Sequence, residues 1–161
     1  MPHRAIDTPL ERLPPVDEHS IEVDAPAEAS WAAVFPTLQK AMDGRLSRAL
    51  AHRLGAEEEE SSGDLHHPGG VLPGFVVSRA VPPVMLALLG EHRFSKYALV
   101  VRIDLLPGQR SRVRIETRAS FPGKRGSAYK AAVVGTRGHV VVVRSLLRAI
   151  RKRAERSAES G

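Results

Sequence analysis

Apolar positions recur with two different periods along this chain. From Arg110 to Phe121, Val113, Ile115, Thr117, Ala119 and Phe121 fall on one side, and Arg112, Arg114, Glu116 and Arg118 on the other. That alternation marks a strand with one buried face. Phe94–Leu105 repeats it with Tyr97, Leu99, Val101, Ile103 and Leu105, and Pro107-Gly108 between the two segments marks a turn. The pair is therefore predicted to form an antiparallel hairpin, one face buried and one wet. Phe75–Val81 is a compact β-rich run closed by Pro82-Pro83, whereas Val84–Leu89 is wholly apolar and suits a strand or a helix. Far upstream, His19–Asp24 reads as a short half-buried strand.

The helical period appears twice. After Pro26, well placed for a first turn, a helix is predicted from Ala27 to Phe35, with Trp31 and Phe35 sharing a face. Pro36 should break or kink it. A second short helix is predicted over Arg45–Arg53, its stripe made of Leu46, Ala49, Leu50 and Leu54, and Gly55 ends it. Near the C-terminus Tyr129, Val133, Thr136, Val140, Val143, Leu147, Ile150 and Ala154 recur every three or four residues. They predict a long helix over Ser127–Ser157, about 46 Å if unbroken, with a kink near Gly135–Gly138. Ala56–Pro73 has no periodicity and reads as a long mobile loop, and its Glu57–Glu60 run as a solvated feature rather than a calcium loop.

Composition narrows the classes. At 161 residues with 42% hydrophobic and 26% charged residues, the chain fits one globular domain. We divide it into a proline-rich tail over 1–17, a domain over 18–157 and a C-terminal tail over 158–161. The absence of cysteine excludes disulfides, thiolate metal sites and a cysteine nucleophile. The longest stretch without Asp, Glu, Lys or Arg is Leu65–Ser78, too short and too rich in proline and glycine to span a membrane. With no signal-peptide pattern at the N-terminus, a cytoplasmic protein is expected.

The net charge of +6 is unevenly spread. Residues 1–64 hold 6 basic and 13 acidic side chains, a balance of −7, and residues 65–161 hold 18 basic and 5 acidic, a balance of +13. The halves attract each other, which weakens the case for an anionic partner. The C-terminal helix and Arg112, Arg114 and Arg118 could bind nucleic acid through phosphates, but exposed stacking aromatics are not evident. No nucleic-acid partner is therefore expected.

The segment Ile21-Glu22-Val23-Asp24-Ala25-Pro26-Ala27-Glu28-Ala29-Ser30-Trp31 resembles the opening of the START-like (SRPBCC) superfamily, which includes the birch-pollen-allergen and polyketide-cyclase types. Arg93–Leu99, Glu116-Thr117-Arg118 and Gly126–Tyr129 before a basic helix are similar to its uncharacterised bacterial members. The resemblance implies an α+β helix-grip fold: a curved antiparallel sheet wrapped around a long C-terminal helix, with two short helices after the first strand. Five or six strands can be counted where the family usually has about seven, so one is expected to hide in Ala56–Pro73 or the sheet to be smaller.

The resemblance further implies an apolar cavity between sheet and helix, holding a small hydrophobic, lipid-like or polyketide-like ligand without catalysis. Candidate ligand-binding residues are Phe75, Arg79, Tyr97, Leu99, Val101, Thr117, Tyr129, Val133 and His139. No catalytic residue, metal or cofactor is assigned; His66-His67 lack the further ligands a metal site needs. The rival reading is a cyclase or dehydratase. It requires polar side chains to converge in the cavity, such as Arg79 with His139 or Tyr97. A basic-surface binder of an anionic partner is the third.

Overall fold

The computed structural model describes residues 9–44, 63–92, 95–133 and 138–161. Six strands, β1 (Pro15–Val23), β2 (Val71–Leu72), β3 (Phe75–Val81), β4 (Met85–His92), β5 (Ser95–Leu106) and β6 (Arg110–Ser120), form one antiparallel sheet. Their order across it is β1-β6-β5-β4-β3-β2. The helices are α1 (Ala27–Met42), α2 (Gly123–Val133) and α3 (Gly138–Glu159). The predicted helix Arg45–Arg53 and the Glu57–Glu60 run lie outside the described residues, as do 134–137 at the predicted kink. No helix among the described residues is long and apolar enough to cross a membrane.

The β5–β6 hairpin turns at Pro107-Gly108, with Gly108 at φ 76° and Gln109 at φ 57°. Both are left-handed values that a tight turn demands and that glycine adopts without strain. Val84–Leu89 resolves as strand because β4 lies inside the sheet, where Leu86 and Leu88 face one side and Ala87 and Leu89 the other, all buried. A central strand covered on both faces loses its alternation. The Ala56–Pro73 segment does hide a strand, the two-residue β2. Pro36 does not end α1, which continues to Met42 while the Thr37 hydroxyl donates back to the Ala33 carbonyl at 2.7 Å. Strand β1 starts at Pro15 rather than His19, and Leu13 just before it is only 2% exposed.

One face of the sheet is concave and apolar. Ile21, Leu86, Leu88, Leu99, Val101, Ile103, Val113 and Ile115 pack there with Trp31, Val34, Phe35 and Leu38 of α1 and Val143, Leu147 and Ile150 of α3. Helix α1 covers β5 and β6, and α3 covers β1 and β6. Two polar contacts set the direction of α3. His139 Nε2 meets Asp17 Oδ2 at 2.7 Å, and Glu155 Oε1 accepts the Asp24 N–H at 3.0 Å. Sixteen helical residues rise about 24 Å and seven strand residues about 23 Å, so the helix lies parallel to β1 and matches it end to end. A buried hydroxyl pair, Ser30 and Ser111 at 2.8 Å, with Ser111 donating to the Ala25 carbonyl, ties the start of α1 to β6.

The other face carries the charge. Arg110 reaches Asp24 and Glu22, Arg112 reaches Glu22, and Arg114 reaches Asp104 and Glu18. Arg102 and Arg118 both pair with Glu116. The acidic first half and the basic second half thus meet across β1 and β6. The three arginines that looked like a phosphate-binding row are already paired. Leu10 and Leu13 cover Leu89 and Ala98 on the same face, held by Arg118 Nε donating to the Leu13 carbonyl at 2.7 Å.

Two outcomes follow. Ile150→Ala, at a fully buried position of α3, should cost about 2–5 kcal/mol in urea denaturation. Leu105→Ala, 73% exposed, should stay within about 0.5 kcal/mol. The second concerns Glu22, whose carboxyl is held below the ordinary 4.5 by hydrogen bonds from Arg112 and then Arg110. Its folded value lies below its unfolded one, so its small stabilisation is complete above pH 4.5 and disappears as pH falls through the lowered value. Carboxyl NMR titration should place the Glu22 midpoint below 4.5, and Arg112→Ala should raise it.

Candidate functional site

The concave face is not uniform along its strands. Leu86, Leu88, Val101, Val113 and Ile115 have no exposed surface, so no water-sized void touches them and this part is sealed. Accessibility returns toward the start of β5 and the end of β6, where Phe75, Tyr97 and Thr117 are half-buried and Leu99 is 8% exposed. Tyr97 pairs with Gly90 across the β4–β5 ladder, and its ring lies over that glycine. A Cβ at position 90 would strike both the ring and the Gly74 carbonyl, so only glycine leaves room. The Tyr97 hydroxyl donates to the Gly74 carbonyl at 2.9 Å, and its ring meets Phe75 edge-on at 5.2 Å. An aromatic wall thus stands at the β3 side of this end.

On the β1 side the wall becomes polar. Asp17 sits opposite Thr117 and His19 opposite Ile115 in the β1–β6 register, which puts Asp17, His19 and Thr117 on the concave face. Helix α3 brings His139 down onto them. Asp17 Oδ2 lies 2.7 Å from His139 Nε2 and 3.1 Å from His19 Nε2, and the three side chains are 21%, 16% and 22% exposed in the order Asp17, His139, His19. Three atoms here are buried without a hydrogen-bond partner among the described residues: Asp17 Oδ1, Thr117 Oγ1 and His139 Nδ1. An aspartate flanked by two imidazoles is a polar centre built from groups 122 residues apart.

Five of the predicted residues, Phe75, Tyr97, Leu99, Thr117 and His139, belong to this accessible end, aromatic on one side and polar on the other. Val101 does not; it is part of the sealed core. Arg79 does not either. A bulge between Val77 and Arg79 places it opposite Ala87, on the outer face, where it is exposed. The pairing of Arg79 with His139 or Tyr97 is therefore not made. The side chains of Tyr129 and Val133 lie outside the described residues. Asp17 and His19 were missed as site residues. The Asp17-x-His19 spacing puts both on one strand face, but the proline-rich surroundings of Asp17 concealed the strand.

Elsewhere, His67 Nδ1 meets Asp64 Oδ2 at 2.8 Å and the His66 ring packs on Phe35 at 4.4 Å. Among the described residues no cluster of three His, Asp or Glu could hold a metal. An open groove of about 840 Å³ runs between α1 and α3, with Thr37, Val141, Val142 and Leu146 along it and Lys40 and Arg153 at its sides. It lies away from the concave face and shares no residue with the polar centre.

No protein-family model matches the chain, and no curated protein matches it. Solved structures do. A protein from Thermus thermophilus superposes with a TM-score of 0.54 at 14% identity, over 90% of this chain and 99% of that one. Norcoclaurine synthase from Thalictrum flavum, a point mutant bound to a transition-state analogue, gives 0.53 at 15% identity, over 86% and 92%. An aromatase/cyclase from a Streptomyces species gives 0.52 at 15%, over 87% and 93%. Each likeness runs nearly the whole length of both chains, and at these identities it is a likeness of fold.

Proposed function

We propose that this chain, an α+β domain with the START-like helix-grip fold, binds a small hydrophobic ligand at the accessible end of its concave face, between the sheet and the C-terminal helices. One observation carries the reading: an apolar and aromatic wall of Phe75, Tyr97 and Leu99 leads to a centre where three polar atoms are buried without partners among the described residues. Ligand sites have this composition, mostly apolar lining with a few placed polar groups. A packed core does not, because each unmade hydrogen bond there costs about 1–3 kcal/mol. The sealed rows beyond Val101 give the site a rigid floor, and the Tyr97–Gly74 hydrogen bond fixes its aromatic side.

The neighbours in fold are compatible with this reading, two of them being enzymes named for a cyclase and a synthase activity. Those activities belong to those proteins. In this chain the reading rests on the site's own surfaces.

Titration with the neutral hydrophobic dye Nile red tests it, alongside native mass spectrometry of the purified protein. Saturable one-to-one binding is expected. Leu99→Phe, which adds bulk at the accessible end, should weaken it about tenfold, the equivalent of roughly 1.4 kcal/mol of overpacking. Val101→Ala in the sealed part should lower the thermal midpoint and leave affinity within about twofold. Absence of both saturable binding and any co-purified ligand would refute the proposal.

A further inference from the structure

The unpartnered atoms of the polar centre carry a chemical specification. A carboxylate only accepts hydrogen bonds, so the imidazole nitrogens facing Asp17 Oδ2, Nε2 of His139 at 2.7 Å and Nε2 of His19 at 3.1 Å, are the ones bearing hydrogen. In a neutral ring the other nitrogen then carries a lone pair. His139 Nδ1 is therefore an acceptor, buried and without a partner among the described residues. Asp17 Oδ1, also buried and without a partner among the described residues, is a second acceptor, and the Thr117 hydroxyl can accept or donate. The centre presents two acceptors and one adaptable hydroxyl.

Such a set selects among ligands. A carboxylate or phosphate would set acceptors against acceptors and a negative charge beside Asp17. An ammonium group would have to shed its hydration in a largely apolar site, facing a carboxylate that already accepts two imidazole N–H groups. A neutral hydroxyl on an apolar body satisfies the set: its O–H donates, and its oxygen accepts from Thr117. We infer that the Asp17–His139–Thr117 centre recognises a hydroxyl group on the bound hydrophobic ligand. His139 Nδ1 takes the hydrogen bond, and Asp17 acts as a positioning residue that fixes which imidazole nitrogen is free. The inference rests on the ligand-binding reading above and adds the ligand's polar group to it.

The test compares naphthol with its methyl ether, which keeps the aromatic body and removes the donor. The full chain should bind naphthol about tenfold more tightly than the ether, the equivalent of one hydrogen bond to a buried acceptor. Thr117→Val should weaken both compounds alike and keep the preference, because the ether oxygen can accept from Thr117 as the naphthol oxygen does. His139→Leu should reduce it to within about twofold while the ether still binds. Asp17→Leu tests the positioning role. It removes the acceptor that holds the hydrogen on His139 Nε2, so the hydrogen is free to sit on Nδ1 and the preference for naphthol should fall. A purely structural role for Asp17 would weaken both ligands alike. Circular dichroism confirms that each variant is folded, and a variant that fails to fold leaves the decision to the native chain and Thr117→Val. Equal binding of naphthol and ether by the native chain, or a preference that survives His139→Leu, overturns the inference and leaves the ligand-binding reading standing. If neither these compounds nor Nile red binds, both fall.

Discussion

An antiparallel sheet that is apolar on one face has to be covered, and here the cover is fastened along the first strand. Helix α3 carries an amphipathic stripe, Val143, Leu147, Ile150 and Ala154, that could slide along an apolar surface at little cost, because hydrophobic contact is not directional. The contacts at its two ends remove that freedom. With His139 held at Asp17 and Glu155 at Asp24, a helix span and a strand span of nearly equal length are locked in parallel. The rest follows from that alignment. Helix α3 comes to rest on β1 and β6, α1 takes the space over β5 and β6, and His139 is delivered to Asp17, opposite the half-buried Thr117.

The outer face solves a different problem. A wet strand face with five arginines in two neighbouring strands, Arg102, Arg110, Arg112, Arg114 and Arg118, would repel itself. Acidic residues stand among them, Glu18 and Glu22 on β1, Asp104 on β5 and Glu116 on β6. Hydrogen bonds donated to Asp104 raise the affinity of Arg114 for its proton, and those donated to Asp24 and then Glu22 do the same for Arg110. Each pair contributes little alone, since exposed ion pairs are screened and cost side-chain entropy. Their collective effect lies in how the register is neutralised: Glu22 stands opposite Arg112, and the like pair Glu18 and Glu116, also opposite each other, is relieved by Arg114 on the first and by Arg102 and Arg118 on the second. The net charge of +6 is thus what remains after the sheet has neutralised itself. It resides largely on α3, in Arg144, Arg148, Arg151, Lys152, Arg153 and Arg156.

What could be read from the sequence was whatever depends on neighbours in the chain. The β5–β6 hairpin was legible because alternation and a Pro-Gly turn sit within 30 residues. The concave-face residues of those two strands followed from parity alone. Val84–Leu89 stayed ambiguous because its second buried face is created by β3 and β5, which no local period records. Leu105 was assigned to the buried face by parity, yet it is exposed at the turn end of the β5–β6 hairpin. Arg79 turned outward through a bulge, which inserts one residue and reverses the parity on which the prediction stood. Asp17 was read as tail. Its strand is held by pairing with Thr117 and by a histidine 122 residues away, and neither leaves a mark in the proline-rich segment around it.

The polar centre and the fold are not separable. Asp17 uses one carboxylate oxygen to fasten the helix and leaves the other buried and unmatched. A purely structural clasp would gain by satisfying both oxygens, since an unmatched acceptor costs about as much as the clasp's hydrogen bond contributes. The same holds for His139, whose second nitrogen is equally without a partner among the described residues. An apolar helix contact at this position would have covered the sheet more cheaply, as the sealed rows at Val101 and Ile115 do. The polar clasp also sits beside Phe75, Tyr97, Leu99 and Thr117, which retain some exposure on the concave face. Unmatched acceptors in a sealed core would be a defect of packing; beside an accessible apolar wall, they are half of an interaction whose other half comes from a ligand.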